Sequence, residues 1–246
     1  MSALKSDYRR TLEAGARALE AELAHKSAQD GMAHLLEAFP GEVCLVSSFG
    51  AESAVLLHML SELSAQTPVL FLDTERLFDE TLTYQRELAD RLGLENVQII
   101  RPEPAHLEAD DPDDELYRRN SDLCCHIRKT LPLIKALRPY KVWMSGRKRH
   151  HGGLRAALKR VEIQDGKLKL NPLYDWSAER LESYVTRHNL PRHPLVASGY
   201  RSIGCLPCTA PVGAHEDARA GRWAGQAKTE CGIHFGPNGQ INRRPN

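Results

Sequence analysis

Four of the six cysteines form two close pairs, and these are the residues of the sequence most suited to binding a metal. One pair is Cys124-Cys125 and the other is Cys205-Leu206-Pro207-Cys208. Structural zinc favours two C-x-x-C-like pairs, because adjacent cysteines reach two corners of one small tetrahedron only with chain strain. Vicinal thiolates can instead each bind a separate iron of a 4Fe-4S cube. The spacing therefore favours an iron-sulfur cluster over zinc.

A fifth cysteine, Cys231, stands alone in the sequence Glu230-Cys231-Gly232-Ile233-His234. A polar, glycine-bearing segment suits a thiol that travels between a pocket and an external partner. Cations brought close by the fold would lower its pKa, and the thiolate is the reactive form. The cations near it in sequence are Arg219, Arg222, Lys228 and His234. Cys231 is the predicted nucleophile, and a surface thiol with no task is the alternative.

Small polar residues follow two buried strands of the predicted fold. The first group, which we call the phosphate loop, is Ser47-Ser48-Phe49-Gly50-Ala51-Glu52-Ser53, and it leads into a helix. Backbone N–H groups, a helix dipole and hydroxyl groups there converge on an anion, and open parallel sheets bind ligands at the carboxyl ends of their strands. Leu72-Asp73-Thr74 ends the next strand, where Asp73 is available to a ribose or adenine. Ordinary helix-capping turns are the alternative at both places.

Basic residues fall into three groups, Arg128-Lys129, Arg147-Lys148-Arg149 and Arg219 with Arg222. Most charge runs are solvated faces. Here two groups directly follow a strand or the first cysteine pair, and guanidinium forks match phosphate and sulfate oxygens in bidentate fashion. We therefore expect these side chains to converge on an oxyanion.

Apolar periodicity predicts an α/β fold in which strands alternate with helices, and this alternation implies parallel crossovers. Two helices are expected in 4–38, strands in 43–46, 68–72, 97–100 and 141–145, and helices in 54–60, 78–92 and 131–137. Residues 102–115 are expected to form an acidic loop, and 161–170 a hairpin that turns at Asp165-Gly166. Ser177 is the expected N-cap of a helix that Pro191 ends. Cys44 lies in the first strand as a small buried hydrophobe.

The bulk composition is that of a soluble globular protein, with 41% hydrophobic and 26% charged residues and a net charge of +1. That charge favours neither nucleic acid nor an anionic membrane as a partner, and no apolar run reaches the roughly 18 residues of a membrane span. With no signal peptide, a cytoplasmic location is expected, where cysteines serve metal or redox chemistry. We expect residues 1–200 to form the main body, and 201–246 to add an ordered metal loop and a mobile tail to the same single domain.

These motifs together resemble the sulfonucleotide reductase family, and within it the assimilatory adenylyl-sulfate reductases of the iron-sulfur type. The resemblance covers residues 40–234. It rests on the phosphate loop, Leu72-Asp73-Thr74, Cys124-Cys125 with Lys129, Gly146-Arg147-Lys148-Arg149, Cys205-x-x-Cys208, Arg219-x-x-Arg222 and Glu230-Cys231-Gly232-Ile233-His234. Glu75 departs from the pattern, because relatives often have glycine there, and this puts the local turn in doubt.

The resemblance implies an adenine nucleotide α-hydrolase-like fold, a parallel sheet flanked by helices. It also implies that the paired cysteines Cys124, Cys125, Cys205 and Cys208 ligate a 4Fe-4S cluster. The catalytic residues would be Cys231 as nucleophile, Lys129 between cluster and substrate, and His234. The substrate-binding residues would be Ser47, Ser48, Phe49, Gly50, Ser53, Leu72, Asp73, Arg147, Arg149, Arg219 and Arg222.

The implied reaction is attack of the Cys231 thiolate on the sulfur of adenosine 5′-phosphosulfate, with loss of AMP and formation of an enzyme S-sulfocysteine. A thioredoxin or glutaredoxin-like dithiol would then release sulfite for cysteine biosynthesis. The chain carries no fused thioredoxin-like module, so a separate reductant is expected. A homo-oligomer is possible.

Three other functions compete with this one. The first is the same reaction on 3′-phosphoadenosine 5′-phosphosulfate, although family members with that preference commonly lack the cysteine pairs. The second is an adenylating enzyme of the same fold that uses ATP, in which Cys231 would have no task. The third is a zinc-stabilised nucleotide-binding protein without catalysis.

Overall fold

A six-stranded sheet forms the centre of the computed structural model, which describes residues 3–213, 215–225, Lys228 and Glu230. The strand order is β3-β2-β1-β4-β6-β5. Neighbouring strands are parallel except β5 and β6, which form the predicted hairpin. The strands are β1 Val43–Ser47, β2 Val69–Leu72, β3 Val97–Ile100, β4 Val142–Ser145, β5 Val161–Gln164 and β6 Lys167–Leu170. The predicted parallel α/β sheet flanked by helices is confirmed.

Helices precede, connect and follow these strands. They are α1 Ala3–Leu23, α2 Ala28–Ala38, α3 Ser53–Leu63, α4 Asp79–Leu92, α5 Pro104–Asp110, α6 Leu116–Arg119, α7 Ser121–Cys125, α8 Leu131–Ala136 and α9 Ala178–Arg187. A π-helical turn, His126–Thr130, joins α7 to α8. Across the described residues, no helix combines the length and the apolar character that crossing a membrane requires.

Strand side chains alternate between two apolar layers, as a strand period of two requires. On one face, Leu45, Phe71 and Met144 pack with α1, α2, α3, α4 and α9. On the other face, Cys44 and Trp143 pack with residues of α8 and its C-terminal end. The predicted buried role of Cys44 is confirmed, and burial raises the pKa of its thiol. Helices therefore cover both faces and leave the ends of the strands available for a site.

The order of the strands reverses beside β1. The chain continues from β1 to β2 and β3 on one side, and β4 pairs with β1 on the other. Loops that leave the carboxyl ends of two such strands diverge, and the crevice between them is the usual ligand site of an open parallel sheet. Here that crevice lies between the phosphate loop after β1 and residues 146–148 after β4.

Three details differ from the predicted elements. The stretch 102–115 contains helix α5 in addition to loop, because Pro104 at the first turn favours a helix start. The pair Cys124-Cys125 lies on a short helix, α7, that the sequence analysis did not predict, and the predicted helix follows as α8. Ser177 caps α9 as predicted by accepting a hydrogen bond from the Arg180 N–H, but α9 ends at Arg187, before Pro191 is reached.

Candidate functional site

The phosphate loop is held from below by a buried aromatic residue. Phe49 has a φ of 47°, which is unusual for a bulky residue, and its ring packs edge-on against Phe71 at 5.2 Å. The Ser47 hydroxyl accepts a hydrogen bond from the Phe49 N–H at 3.1 Å. At Gly50 a Cβ would lie 3.2 Å from the Ile203 carbonyl oxygen, so the loop and the segment around Ile203 approach closely. These contacts fix the backbone at the end of β1.

Above this loop lies a pocket that collects most of the predicted substrate-binding side chains. Its walls come from the phosphate loop, the end of β2, the π-helical turn, the loop after β4 and residues 201–204 and 219–223. The predicted residues that line it are Ser47, Ser48, Gly50, Ser53, Leu72, Lys129, Arg147, Arg219 and Arg222. Side chains distant in sequence are thus brought to the crevice where the strand order reverses.

Three predicted substrate-binding residues lie outside the pocket wall. Phe49 is fully buried beneath the loop. The Asp73 carboxylate is buried, accepts a hydrogen bond from the Glu75 N–H at 3.0 Å and pairs with Arg101 at 3.0 Å. Arg149 donates to the Leu158 carbonyl at 2.7 Å and stacks on Tyr174. The predicted catalytic residues Cys231 and His234, and the predicted mobile tail, lie outside the described residues.

The four paired cysteines are buried as free thiols beside the pocket. Burial raises the pKa of Cys124 to about 12 and that of Cys208 to about 11, and the neighbouring thiols add to both shifts. The two pairs therefore meet in space although about eighty residues separate them in sequence. Four thiols are costly to ionise together in such a place, and a bound metal removes that cost because coordinating thiols are deprotonated.

Cations lie against two of these cysteines. Lys129, which lines the pocket, also contacts Cys205, and Thr74 Oγ1 lies 3.1 Å from its sulfur. Burial alone would raise the pKa of Cys205, but Lys129 and Thr74 together hold it below its ordinary value. Lys228 is close to Cys125 and donates to the Ser121 carbonyl at 2.8 Å. The cations therefore favour the thiolate at Cys205, whereas burial disfavours it at Cys124 and Cys208.

The sulfurs of the paired cysteines are not gathered as closely as a single zinc ion would hold four ligands. A tetrahedral zinc with Zn–S bonds of about 2.3 Å holds its sulfurs roughly 3.8 Å apart. Within the described part of the chain, no three of the cysteine sulfurs lie within 4.8 Å of one another. Four soft thiolates are the ligand set of an iron-sulfur cube, in which each iron corner takes one of them. The donor set present fits such a cluster.

Arg222 flanks the pocket from the C-terminal side, as Arg219 also does. The Arg222 guanidinium stacks on Trp223 at 4.5 Å and packs against Gly204, where a Cβ would lie 2.2 Å from its Nη2. The backbone N–H of Trp223 in turn donates to the Cys208 carbonyl at 3.1 Å. The buried Nε of Arg222 has no hydrogen-bond partner among the described residues. Arg222 therefore connects the cysteine site to the pocket.

Arg128 binds other residues of the protein, whereas its neighbour Lys129 lines the pocket. Its guanidinium is buried and forms hydrogen bonds with Asp111 at 2.7 Å, with Asp114 at 2.7 Å and with the Thr74 carbonyl at 3.1 Å. All of these partners belong to the protein. Arg128 therefore positions the acidic segment around the first cysteine pair.

The sequence analysis missed a polar relay along one wall of the pocket. Glu52 of the phosphate loop pairs with Lys148 at 2.8 Å and with His151 Nε2 at 2.9 Å. Arg155 donates to His151 Nδ1 at 3.0 Å and, through Nε and Nη2, to both carboxylate oxygens of Glu230. Lys148 belonged to a recognised basic group, whereas no local signal identified His151 or Arg155.

The side chains of Glu52, His150 and His151 also bring three potential metal-ligand atoms close together. An arginine can only donate, so Nδ1 of His151 accepts from Arg155 and Nε2 carries the proton that it shares with Glu52. Burial lowers the pKa of His151 to about 4, which favours this neutral ring. The Lys148 ammonium neutralises Glu52. The group is better described as a hydrogen-bonded relay than as a metal centre.

Comparison with known proteins assigns the chain to one family. Residues 42–211 match the model of the phosphoadenosine phosphosulfate reductase domain. The chain is 50% identical over 199 residues to an adenosine 5′-phosphosulfate reductase of Mesorhizobium japonicum, which covers 81% of this chain and 78% of the relative. It is 40% identical over 204 residues to the protein of the same name in Bacillus thuringiensis, covering 80% and 86%.

A solved structure shares the architecture. The phosphoadenylyl-sulfate reductase of Candida auris, crystallised as a phosphate complex, superposes with a TM-score of 0.69 and 26% sequence identity. The match covers 79% of this chain and 96% of that one. The match extends over nearly all of that enzyme.

Proposed function

The chain belongs to the phosphoadenosine phosphosulfate reductase family, and we propose that it reduces adenosine 5′-phosphosulfate to sulfite and AMP. One observation carries the proposal. The pocket above the phosphate loop shares Lys129 with the buried four-cysteine site, so an anion-binding wall and a redox-type ligand set adjoin each other. The alternative adenylating function explains the phosphate loop but not the cysteines.

The choice of substrate rests on the cysteines and on the relatives. Both pairs are present, and the relatives from Mesorhizobium japonicum and Bacillus thuringiensis are named for adenosine 5′-phosphosulfate. The Candida auris structure is named for the 3′-phosphorylated nucleotide at a lower identity. We therefore keep the 3′-phosphorylated nucleotide as the second candidate substrate.

The pocket offers separate sites for the two anionic groups of the substrate. The phosphate loop lies at the end of β1, where its N–H groups and hydroxyls suit a phosphate. Lys129, Arg219 and Arg222 face the same pocket from the cysteine side and suit the sulfate oxygens. Drawing electron density from those oxygens makes the sulfur more electrophilic, and the phosphate loop stabilises the AMP phosphate as it leaves.

Cys124, Cys125, Cys205 and Cys208 would hold a 4Fe-4S cluster. When bound, the cluster supplies a compact charge centre adjoining Lys129. The residues of the chain do the rest: Lys129 and Arg222 lie between the thiolates and the pocket, so they direct positive potential toward a polyanionic substrate.

The proposed chemistry has two steps. First, the Cys231 thiolate forms a bond to the sulfate sulfur, the bond from that sulfur to the bridging oxygen breaks, and AMP leaves with the electron pair. Second, one thiolate of an external dithiol such as thioredoxin attacks Cys231 Sγ and displaces sulfite. Its second thiol then resolves the mixed disulfide, so the dithiol is oxidised as the sulfate sulfur is reduced.

The external dithiol agrees with a reducing compartment. The five cysteines within the described residues are all free thiols. Thiols persist in the cytosol, where thioredoxin is kept reduced. We propose a cytoplasmic enzyme on this basis.

Steady-state sulfite release tests the proposal. The reconstituted full chain with thioredoxin is compared on the two nucleotides, and Cys231→Ser serves as the control protein. We expect turnover with adenosine 5′-phosphosulfate, much weaker turnover with the 3′-phosphorylated nucleotide and none with the control. Pyrophosphate release from ATP at a comparable rate would instead favour the adenylating function.

A further inference from the structure

The carboxylate of Glu230 is buried among arginines that line the pocket above the phosphate loop. Arg155 Nε approaches one carboxylate oxygen at 2.5 Å and Nη2 the other at 2.9 Å, and Arg219 Nη2 lies 3.5 Å away. Both members of the Arg155–Glu230 pair are less than one-tenth exposed. Burial would raise the pKa of Glu230, yet Arg155, Arg219 and Arg147 lower it to about 2. The carboxylate is therefore ionised at neutral pH and paired bidentately.

Arg155 is committed to this contact. It lies on the 3-10 turn Gly153–Ala157, and its remaining terminal nitrogen donates to His151, which donates to Glu52. Each nitrogen of the guanidinium thus has a partner in the protein. Glu230 is tied through two side chains to the phosphate loop, more than 170 residues earlier in the sequence.

Glu230 directly precedes Cys231, and consecutive Cα atoms are about 3.8 Å apart. A fixed Glu230 therefore limits where the next residue can be. We propose that the Arg155–Glu230 ion pair fixes the chain at Glu230 beside the pocket, which makes Glu230 a positioning residue for the Cys231 thiol. The role of that thiol rests on the proposed function, whereas the anchoring does not.

Hydrogen exchange measured by mass spectrometry tests the anchoring without substrate. In Glu230→Gln the shape is nearly kept but the charge is lost, and one unpaired buried cation remains. We expect amide exchange in peptides covering residues 226–236 to accelerate about tenfold or more, while peptides of the sheet exchange as in the wild type. Glu182→Gln is the matched control, because Glu182 forms an exposed pair with Arg192. Unchanged exchange in Glu230→Gln would overturn the proposal.

A double-mutant cycle separates anchoring from general destabilisation. Arg155→Ala, Glu230→Ala and the double variant should accelerate exchange in these peptides to a similar extent, because each breaks the same pair. Additive effects would overturn the proposal.

Turnover supplies a second readout. Glu230→Gln should lower kcat for sulfite release more than it raises KM, and Glu230→Asp should recover part of kcat because it restores the charge. Equal loss in both variants would count against a positioning role. If hydrogen exchange depends on Glu230 but the enzyme forms no sulfite, the proposed function is refuted and the anchoring proposal stands.

Discussion

The phosphate loop and the described residues of 204–230, which we call the C-terminal segment, build the same pocket in different ways. The loop is seven consecutive residues on the end of β1, fixed by Phe49 in the core and by a hydrogen bond within the loop. The C-terminal segment contributes Arg219, Arg222 and two cysteines, and side chains from distant elements hold it in place.

This difference separates a backbone-determined region from one determined by side chains. Strand packing places the loop, so it should survive the loss of any single polar group. The C-terminal segment depends on thiolates, ion pairs and close packing around one glycine. We therefore expect the largest effects of substitution in the C-terminal segment and at the residues that contact it.

Loss of a cysteine of the proposed metal site should have the largest effect. Cys208→Ser is expected to lose bound iron and its visible absorbance after reconstitution, and with them nearly all sulfite formation. Cys44→Ala, which removes a thiol from the core away from the site, should keep its iron. Iron content measures both. Equal iron in the two variants would contradict the assignment of Cys208.

Lys129→Ala tests the link between the cysteine site and the pocket. Removing one preorganised cation at a reacting group typically costs roughly 100-fold in rate, and we expect a fall of that order in kcat/KM. The absorbance of the proposed iron-sulfur cluster should stay intact. Lys135→Ala is the control, because Lys135 is exposed and pairs with Glu103. Unchanged kinetics in Lys129→Ala would refute the electrostatic role.

Gly204→Ala tests the position of the Arg222 guanidinium. The new methyl group would overlap the guanidinium, so Arg222 must move, and we expect KM for the nucleotide to rise about tenfold through loss of a charge-assisted contact. Gly15→Ala is the matched control, since a Cβ at Gly15 meets nothing within 4 Å. A normal KM in Gly204→Ala would show that Arg222 does not bind the substrate from this position.

The lowered pKa of His151 predicts that the free energy of unfolding depends on pH. His151 joins the phosphate loop to the C-terminal segment through Glu52 and Arg155. Burial lowers its pKa from 6.5 to about 4, so between these values the unfolded chain takes up a proton that the folded chain does not. Stability is therefore lost as pH falls through this window, by roughly 1–2 kcal/mol between pH 7 and pH 5. Urea unfolding of His151→Gln should show a smaller loss of unfolding free energy between pH 7 and pH 5. The same pH dependence in the variant and the wild type would contradict the neutral ring.

The smallest effect is expected at the end of β2. Glu75 has a φ of 58°, in the left-handed region that glycine adopts without steric cost. Glu75→Gly should raise the free energy of unfolding by roughly 0.5–1 kcal/mol and leave sulfite formation unchanged. Thermal unfolding and a kinetic assay measure the two effects. A destabilised variant would show that contacts of the Glu75 side chain outweigh the backbone strain.

The sequence predicted the phosphate loop better than it predicted the arginine-lined side of the pocket, and the reason is physical. Strand and helix periodicity, together with serine and glycine at a strand end, are local signals, and they placed β1, α3 and the phosphate loop correctly. The paired cysteines were recognised by their spacing, and the structure brings them together.

No local sequence signal indicates the ion pairs on the arginine-lined side of the pocket. Arg147 and Arg149 stand two residues apart, yet only Arg147 lines the pocket, because the chain turns after β4. Arg155 meets Glu230 across 75 residues of sequence. Only the crossing of the strands and the return of the C-terminal segment decide such contacts, and single-sequence patterns do not contain that information.

The most direct test of the account is the mass of the enzyme after incubation with adenosine 5′-phosphosulfate in the absence of any dithiol. The account predicts one SO3 group on the peptide that contains Cys231, with an equal amount of AMP released, and its removal as sulfite when thioredoxin is added. Sulfite formation by an enzyme whose Cys231 stays unmodified, or has been replaced by serine, would contradict it.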